Sequence, residues 1–235
     1  MTKSRGKYAS PVQTERRERI LVETLKLLEA KQPEDISMSL ISTRSGVSTK
    51  TLYNLFKNRN GLLLAAAAHV NERNQSNTSA LDSLAGIPRI LELTRRAMET
   101  FTQSPEFMES AVMLVLGISA DEESEFHRVG RTQEWFHEAL RVAKSEGDLL
   151  PDTDCLQLSQ MLTASQWGST LLWQKKLISL EALRQQTMLQ HCFDLMPFCT
   201  VSRRQWLASL KTAIQGKTLD FSSPIGGEMP LAMAG

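Results

Sequence analysis

The sequence is poor in the features that mark several large protein classes. No apolar run in its 235 residues approaches the roughly 20 residues that a membrane-spanning helix requires. The first residues, MTKSRGKYASPVQTERRER, carry no apolar stretch, so a secretory signal is not expected. Three cysteines, Cys155, Cys192 and Cys199, form neither an even framework nor a Cys-x-x-Cys pair. That usage fits small buried thiols in a reducing compartment, and a cytoplasmic location is expected. His191, Cys192 and Cys199 match no standard zinc spacing. The four histidines, His69, His127, His137 and His191, stand in no His-Glu-x-x-His or nucleophile-elbow context. His127 and His137 with Glu123, Glu134 and Glu138 read as a solvated helix face rather than a metal cluster. An enzyme is therefore not expected, nor is a metal or other cofactor.

Net charge is also nearly absent, at +1, but its distribution is uneven. Residues 1–60 hold 12 basic and 6 acidic side chains, and the remaining 175 hold 15 and 20. A basic head on an acidic body is the pattern expected if a polyanion meets the head alone.

Periodicity and punctuation read as helix almost throughout, with few β-like runs and no internal repeat. Residues 1–13, with Lys3, Arg5 and Lys7, read as a flexible basic arm. Thr14 is the expected cap of a first helix whose Ile20, Leu21, Leu25 and Leu28 share one stripe and which ends before Gln32-Pro33. Ser37 caps a short second helix that stops at Gly46. Ser48 caps a third over 49–56, burying Leu52 and Phe56, and Asn58 caps a fourth that runs through Val70. Two short helices around a glycine turn, packed on a longer one, make a helix-turn-helix. Polar residues 71–83 read as the end of the fourth helix and a linker. Six more helices are expected near 88–102, 105–118, 122–146, 153–176, 179–196 and 202–215. The chain then divides into the arm 1–13, the helix-turn-helix head 14–60, a helical body 61–215, and a disordered tail 216–235.

The segment Ile41-Ser42-Thr43-Arg44-Ser45-Gly46-Val47-Ser48-Thr49-Lys50-Thr51-Leu52-Tyr53-Asn54-Leu55-Phe56-Lys57-Asn58-Arg59 resembles the DNA-binding segment of TetR-type regulators. Gly46-Val47-Ser48, Thr51-Leu52-Tyr53 and Phe56 agree in identity and spacing. The resemblance implies an all-α fold, with a three-helix DNA-binding head on a helical body that senses a ligand and dimerises. It places the third helix in the major groove of double-stranded DNA. Thr49, Lys50, Thr51 and Asn54 then face base edges, joined by Ser39, and Tyr53 meets a backbone phosphate. Asn binds adenine and Lys guanine at their major-groove acceptors. Ser48 leaves helix-terminal N–H groups free for phosphate. Ser37, Arg44, Lys57 and Arg59 complete the expected DNA-binding set. Leu55 stands where the family often has His or Tyr, Arg59 where Lys is usual, and Lys50 where a small residue or proline is common.

Beyond residue 75 the resemblance rests on length and helical layout. It implies a homodimer held by the penultimate helix pair. Leu158, Met161, Leu162, Ser165, Ser169 and Leu172 form one stripe, and Ala182, Gln186, Leu189, Phe193 and Met196 the other. It also implies a pocket for a small, mainly apolar effector. The expected lining is Met98, Phe101, Phe107, Met113, Trp135, Phe136, Met161, Gln166 and Trp167, with Met108, Trp173 and His137 nearby. The expected function is repression from a palindromic operator, relieved by the effector. Two other readings are the same head acting constitutively or through a protein partner, and a non-DNA interaction module, which leaves the recognition-helix match unexplained.

Overall fold

A computed structural model describes residues 11–31, 33–76, 84–103, 105–117 and 128–225. Among them the fold is all-α, a helix-turn-helix head on a helical body. An isolated antiparallel bridge joins Leu149 to Cys199. No described helix is long and apolar enough to cross a membrane.

The head begins with α1, Pro11–Ala30. Thr14, expected as its cap, lies inside the helix instead, so residues 11–13 belong to α1 and not to an arm. Proline, with its fixed φ, suits the first helical turn, where no N–H is needed. Residues 1–10, with the basic side chains of the expected arm, lie outside the described residues. Ile20, Leu21, Leu25, Leu27 and Leu28 are buried on one side of α1. Thr24 sits among them because its hydroxyl donates to Ile20 O at 2.8 Å.

A short turn of 3-10 helix, Pro33–Asp35, leads to α2, Met38–Ser45, whose first turn is capped by Ser37 Oγ accepting from Leu40 N. Gly46 ends α2 at φ 65°, a left-handed conformation that costs glycine little. Ser48 Oγ then accepts from Thr51 N to start α3, Thr49–Phe56. Asn58 Oδ1 accepts from Gly61 N at 2.7 Å at the start of α4, Arg59–Ser76. These caps fall where the side-chain chemistry of the sequence places them.

The body contains α5 (Gly86–Gln103), α6 (Pro105–Gly117), α7 (Arg128–Ser145), α8 (Cys155–Gln174), α9 (Leu180–Leu195) and α10 (Val201–Gln215). Helices α5, α7, α8 and α9 pack in a ring, each against the next, with α5 diagonal to α8; α10 covers α9. Helix α6 packs on α1 and α4 and ties head to body.

The apolar interior falls into two clusters. The upper one joins the head (Ile20, Leu52, Phe56, Leu63) to Met98, Phe101, Phe107, Met108, Trp173 and Leu183 of the body. The lower one holds Ile90, Leu91, Phe136, Leu140, Leu158, Leu162, Met188, Cys192 and Leu207. Head and body are thus not separate cores joined by a linker.

The expectation of a disordered tail from residue 216 fails for residues 216–225. Phe221 O accepts from Arg95 Nη1 at 2.8 Å, and Ile225, buried, donates its N–H to Glu92 Oε2 at 3.0 Å. Glu92 is fully buried and also accepts from Arg95 and Arg96. A buried carboxylate needs such partners, and the C-terminal strap supplies one of them. Residues 226–235 lie outside the described residues, as do 77–83 of the expected linker and 118–127 at the expected start of α7.

Candidate nucleic-acid interface and effector site

The head presents one continuous exposed surface from the start of α2 and the outer face of α3. Ser37, Ser39, Arg44, Ser48, Thr49, Lys50, Tyr53, Asn54 and Lys57 are exposed on it, and Thr51 is half-buried. Leu52 and Phe56, buried at 0% and 4% exposure, anchor the opposite face of α3 against α1 and α4. Their spacing of four turns Lys50 and Asn54, themselves four apart, outward. Tyr53 is 51% exposed, so it is no core aromatic. Ser48 and Thr51 hydroxyls lie 2.9 Å apart at the mouth of the helix. The surface therefore combines hydroxyl, amide and cationic groups on a rigid helix, the set that reads base edges and phosphates.

Arg59 differs from expectation. It is half-buried, and its Nε donates to Ile36 O at 2.5 Å, tying the start of α4 to the approach to α2. Its guanidinium is turned onto the protein backbone, with Nη2 buried and without a hydrogen-bond partner. Arg17, though exposed, lies over the Phe56 ring at 5.1 Å.

In the body, the expected ligand residues separate into groups. Met98, Phe101 and Phe107 lie in the upper core, where Phe101 meets Trp173 edge-on at 5.1 Å. Phe136 lies in the lower core. Met113, Trp135 and Trp167 are half-buried, and Gln166 is buried. Met161 is a correction. It is 43% exposed, because two residues past the buried Ser159 is about 200° around the helix.

The interior of the body also holds a set of buried polar residues that the apolar-stripe reading missed. Ser159, Thr163, Gln166 and Thr170 run along the inner face of α8. Thr94 on α5 and Thr187 and His191 on α9 complete it. The hydroxyls of Thr163, Thr170 and Thr187 donate to carbonyls one turn back, at 2.8–2.9 Å. The spacing 159, 163, 166, 170 on an otherwise apolar helix is the sequence signal that could have revealed the set.

His191 is where the four ring helices meet. Its Nδ1 lies 3.0 Å from Thr94 Oγ1, its Nε2 lies 3.2 Å from Leu162 O, and Phe136 meets its ring edge-on at 5.4 Å. Burial depresses its pKa to about 4, against the opposing effect of the Leu162 carbonyl. Leu162 O can only accept, so Nε2 carries the proton, and Nδ1 and Ile90 O, 2.9 Å from Thr94 Oγ1, compete for the one threonine hydroxyl proton. Burial pushes the Cys192 and Cys199 thiols up to about 12, which suits inert packing groups. Among the described residues no group of three or more His, Cys, Asp or Glu is placed to hold a metal.

The dimer stripes split as well. Leu158 and Leu162 are buried within the protomer. Met161, Leu171 and Leu172 on α8 and Phe193 on α9 stay 39–46% exposed, and Gln186 is exposed beside them.

A helix-turn-helix head with a solvent-facing recognition helix, carried on an all-helical body, defines a DNA-binding transcriptional regulator. The family of bacterial regulatory proteins designated tetR matches residues 20–66, which span the core of the head. The transcriptional repressor KstR of Rhodococcus jostii is 28% identical over 168 residues, covering 70% of this chain and 76% of that protein. KstR of Mycolicibacterium smegmatis is 24% identical over 172 residues, covering 72% and 82%. Solved structures agree in fold. A TetR transcriptional regulator from Rhodococcus sp. RHA1 matches with a TM-score of 0.63 at 16% identity, over 78% of this chain and 97% of that one. Full-length tylp, a TetR regulator from Streptomyces fradiae, matches with a TM-score of 0.59 at 17% identity, over 87% and 98%. Residues 20–66 thus match the tetR family model, and the chain resembles TetR-type transcriptional regulators in sequence and in fold.

Proposed function

We propose that this protein is a cytoplasmic repressor that binds a two-fold symmetric operator as a homodimer and is released from it by a small, mainly apolar effector. The observation that carries the reading is the outward set Lys50, Tyr53 and Asn54 on a helix held rigid by Leu52 and Phe56. Asn54 and Lys50 read base edges, with Thr49, Thr51 and Ser39 beside them. Tyr53, Ser37, Ser48, Arg44 and Lys57 hold phosphates. Arg59 serves mainly as a positioning residue, since Ile36 O already takes its Nε.

The exposed apolar side chains of α8 and α9 support a second copy packing there as a four-helix bundle, burying Met161, Leu172 and Phe193. Two heads reading successive major grooves must lie ~34–36 Å apart, so a small tilt of each head abolishes binding. The effector must favour the conformer with the wrong spacing, or it shifts nothing. The upper core supports a route for that coupling, because Met98, Phe101 and Phe107 pack in one cluster with α1 and α4.

Selection of bound sites from random duplex DNA at near-physiological salt tests the reading. Recovery of a palindrome is the expected result. Uniform binding that vanishes with modest salt would mean a generic basic surface and would end the repressor reading.

A further inference from the structure

The set of buried polar residues contains one acceptor with nothing to accept. Gln166 is 9% exposed, and its Oε1 is buried with no hydrogen-bond partner in the protein. Its neighbours on the inner face of α8 do not compete for it. Thr163 donates to Ser159 O, Thr170 to Gln166 O, and Ser159 to Leu156 O. An orphan amide oxygen in such a place destabilises the protein unless something donates to it. On α8 it lies between two buried apolar residues, Leu162 one turn before it and Trp173 about two turns after it.

Among the described residues, the charged groups of α5 turn away from Thr94. Arg96 lies two residues past Thr94, about 200° around α5, and its Nε donates to Glu92 Oε1 on the strap side of the helix. Arg95 bonds Glu92, Glu99 and Phe221 O on that same side. His191, which belongs to the set, is held neutral by its burial between Thr94, Phe136 and Leu162 O.

We infer that the buried part of the effector is an uncharged, largely apolar skeleton with one hydroxyl or N–H, which donates to Gln166 Oε1. This rests on the proposal that the body senses a small molecule, and it adds the ligand's chemical class and its anchor. A carboxylate in that position would set negative charge against an amide oxygen with no cation of the described residues shown beside it. An ammonium would satisfy the oxygen but bring a charge with no counter-ion.

The test uses the full chain and three matched probes, 1-naphthol, naphthalene and 1-naphthoate, read by thermal denaturation and by calorimetry. The expected result is that 1-naphthol stabilises the protein and binds roughly tenfold more tightly than naphthalene, as one rescued buried acceptor implies. In Gln166→Met that preference disappears. The ligand-free Gln166→Met variant melts at or above the parent temperature, because it loses an unsatisfied polar atom and keeps the volume. Naphthoate binding as well as naphthol would overturn the ligand class and leave the effector reading standing. No stabilisation by any probe would overturn the effector site itself. A Gln166→Met variant that melts well below the parent would show that the amide has an internal partner, and would overturn the anchor.

Discussion

His191 Nδ1 lies 3.0 Å from Thr94 Oγ1, joining α9 to α5 across the interior of the body. With Leu162 O on its other side, this imidazole has no carboxylate among its hydrogen-bond partners and no water-exposed edge. Burial holds its pKa at about 4, whereas an unfolded histidine titrates near its ordinary value of 6.5. Between those values the unfolded chain binds a proton that the folded one does not.

Stability is therefore expected to be full above pH 6.5 and to fall as the pH drops towards 4, by about 3 kcal/mol in all. Denaturant titrations of the parent and of His191→Gln, from pH 7 to 5, measure this. The variant is less stable at pH 7 but has a flatter pH dependence. An unchanged slope would show that His191 is not the group that titrates.

Glu92 gives a second, more acidic contribution. Burial pushes its carboxyl up, but hydrogen bonds from Arg95, Arg96 and Ile225 N outweigh this and leave it below the ordinary carboxylate value. Its stabilisation is present above that ordinary value and is lost as the pH falls through the lowered one. Glu92→Ala leaves Arg95, 5% exposed, without its main counter-ion and is expected to cost about 3–5 kcal/mol. Glu99, whose side chain is 40% exposed, also pairs with Arg95, and Glu99→Ala is expected to cost less than about 1 kcal/mol. Comparable losses in the two variants by chemical denaturation would refute the ranking.

On the recognition helix, stability and DNA binding are expected to separate. Tyr53 and Asn54 are exposed, so Tyr53→Phe and Asn54→Ala change folding stability by no more than about 0.5 kcal/mol. Asn54→Ala should lose about 1–3 kcal/mol of discrimination at one base pair. Tyr53→Phe should weaken binding evenly across sequences. Fluorescence anisotropy against the selected operator and its single-base variants distinguishes the two patterns.

Gly46 offers a test of the turn itself. A methyl group added there meets nothing within 4 Å, yet φ is 65°, so any cost of Gly46→Ala is conformational. About 1–2 kcal/mol is expected from thermal or chemical unfolding. A neutral result would mean that the turn relaxes to another geometry.

Phe193→Glu tests the dimer surface. Phe193 is 46% exposed in the protomer, so the charge is tolerated by the isolated fold and is buried only if a second copy covers it. Sedimentation should show a shift to monomer, with helical circular dichroism retained and operator affinity reduced.

Much of this protein was legible from local chemistry. Ser37, Ser48 and Asn58 cap the helices they were expected to cap, and Gly46 takes the left-handed turn, because capping and turn geometry depend on residues within four positions of one another. The buried pair Leu52 and Phe56 likewise follows from their spacing, and it alone turns Lys50 and Asn54 outward. What the chain does locally, its own sequence determines.

Contacts between distant positions were decided only by the tertiary structure. Periodicity marks a helix face as apolar without saying whether its partner is another helix of the same chain. So the α8 stripe divides between core (Leu158, Leu162) and surface (Met161, Leu172). Proline and glycine made residues 216–225 look loose, yet Glu92 lies 133 positions from the Ile225 N–H it accepts, and no local signal reports such a pairing. The sequence places Arg59 in the DNA-binding set, whereas the fold brings Ile36 O to its Nε. The surroundings of His191 come from three other helices, which supply Thr94, Phe136 and Leu162 around it. Burial, and with it the protonation of a side chain, belongs to the assembled helices and not to any stretch of sequence, because it depends on everything that excludes water from the site.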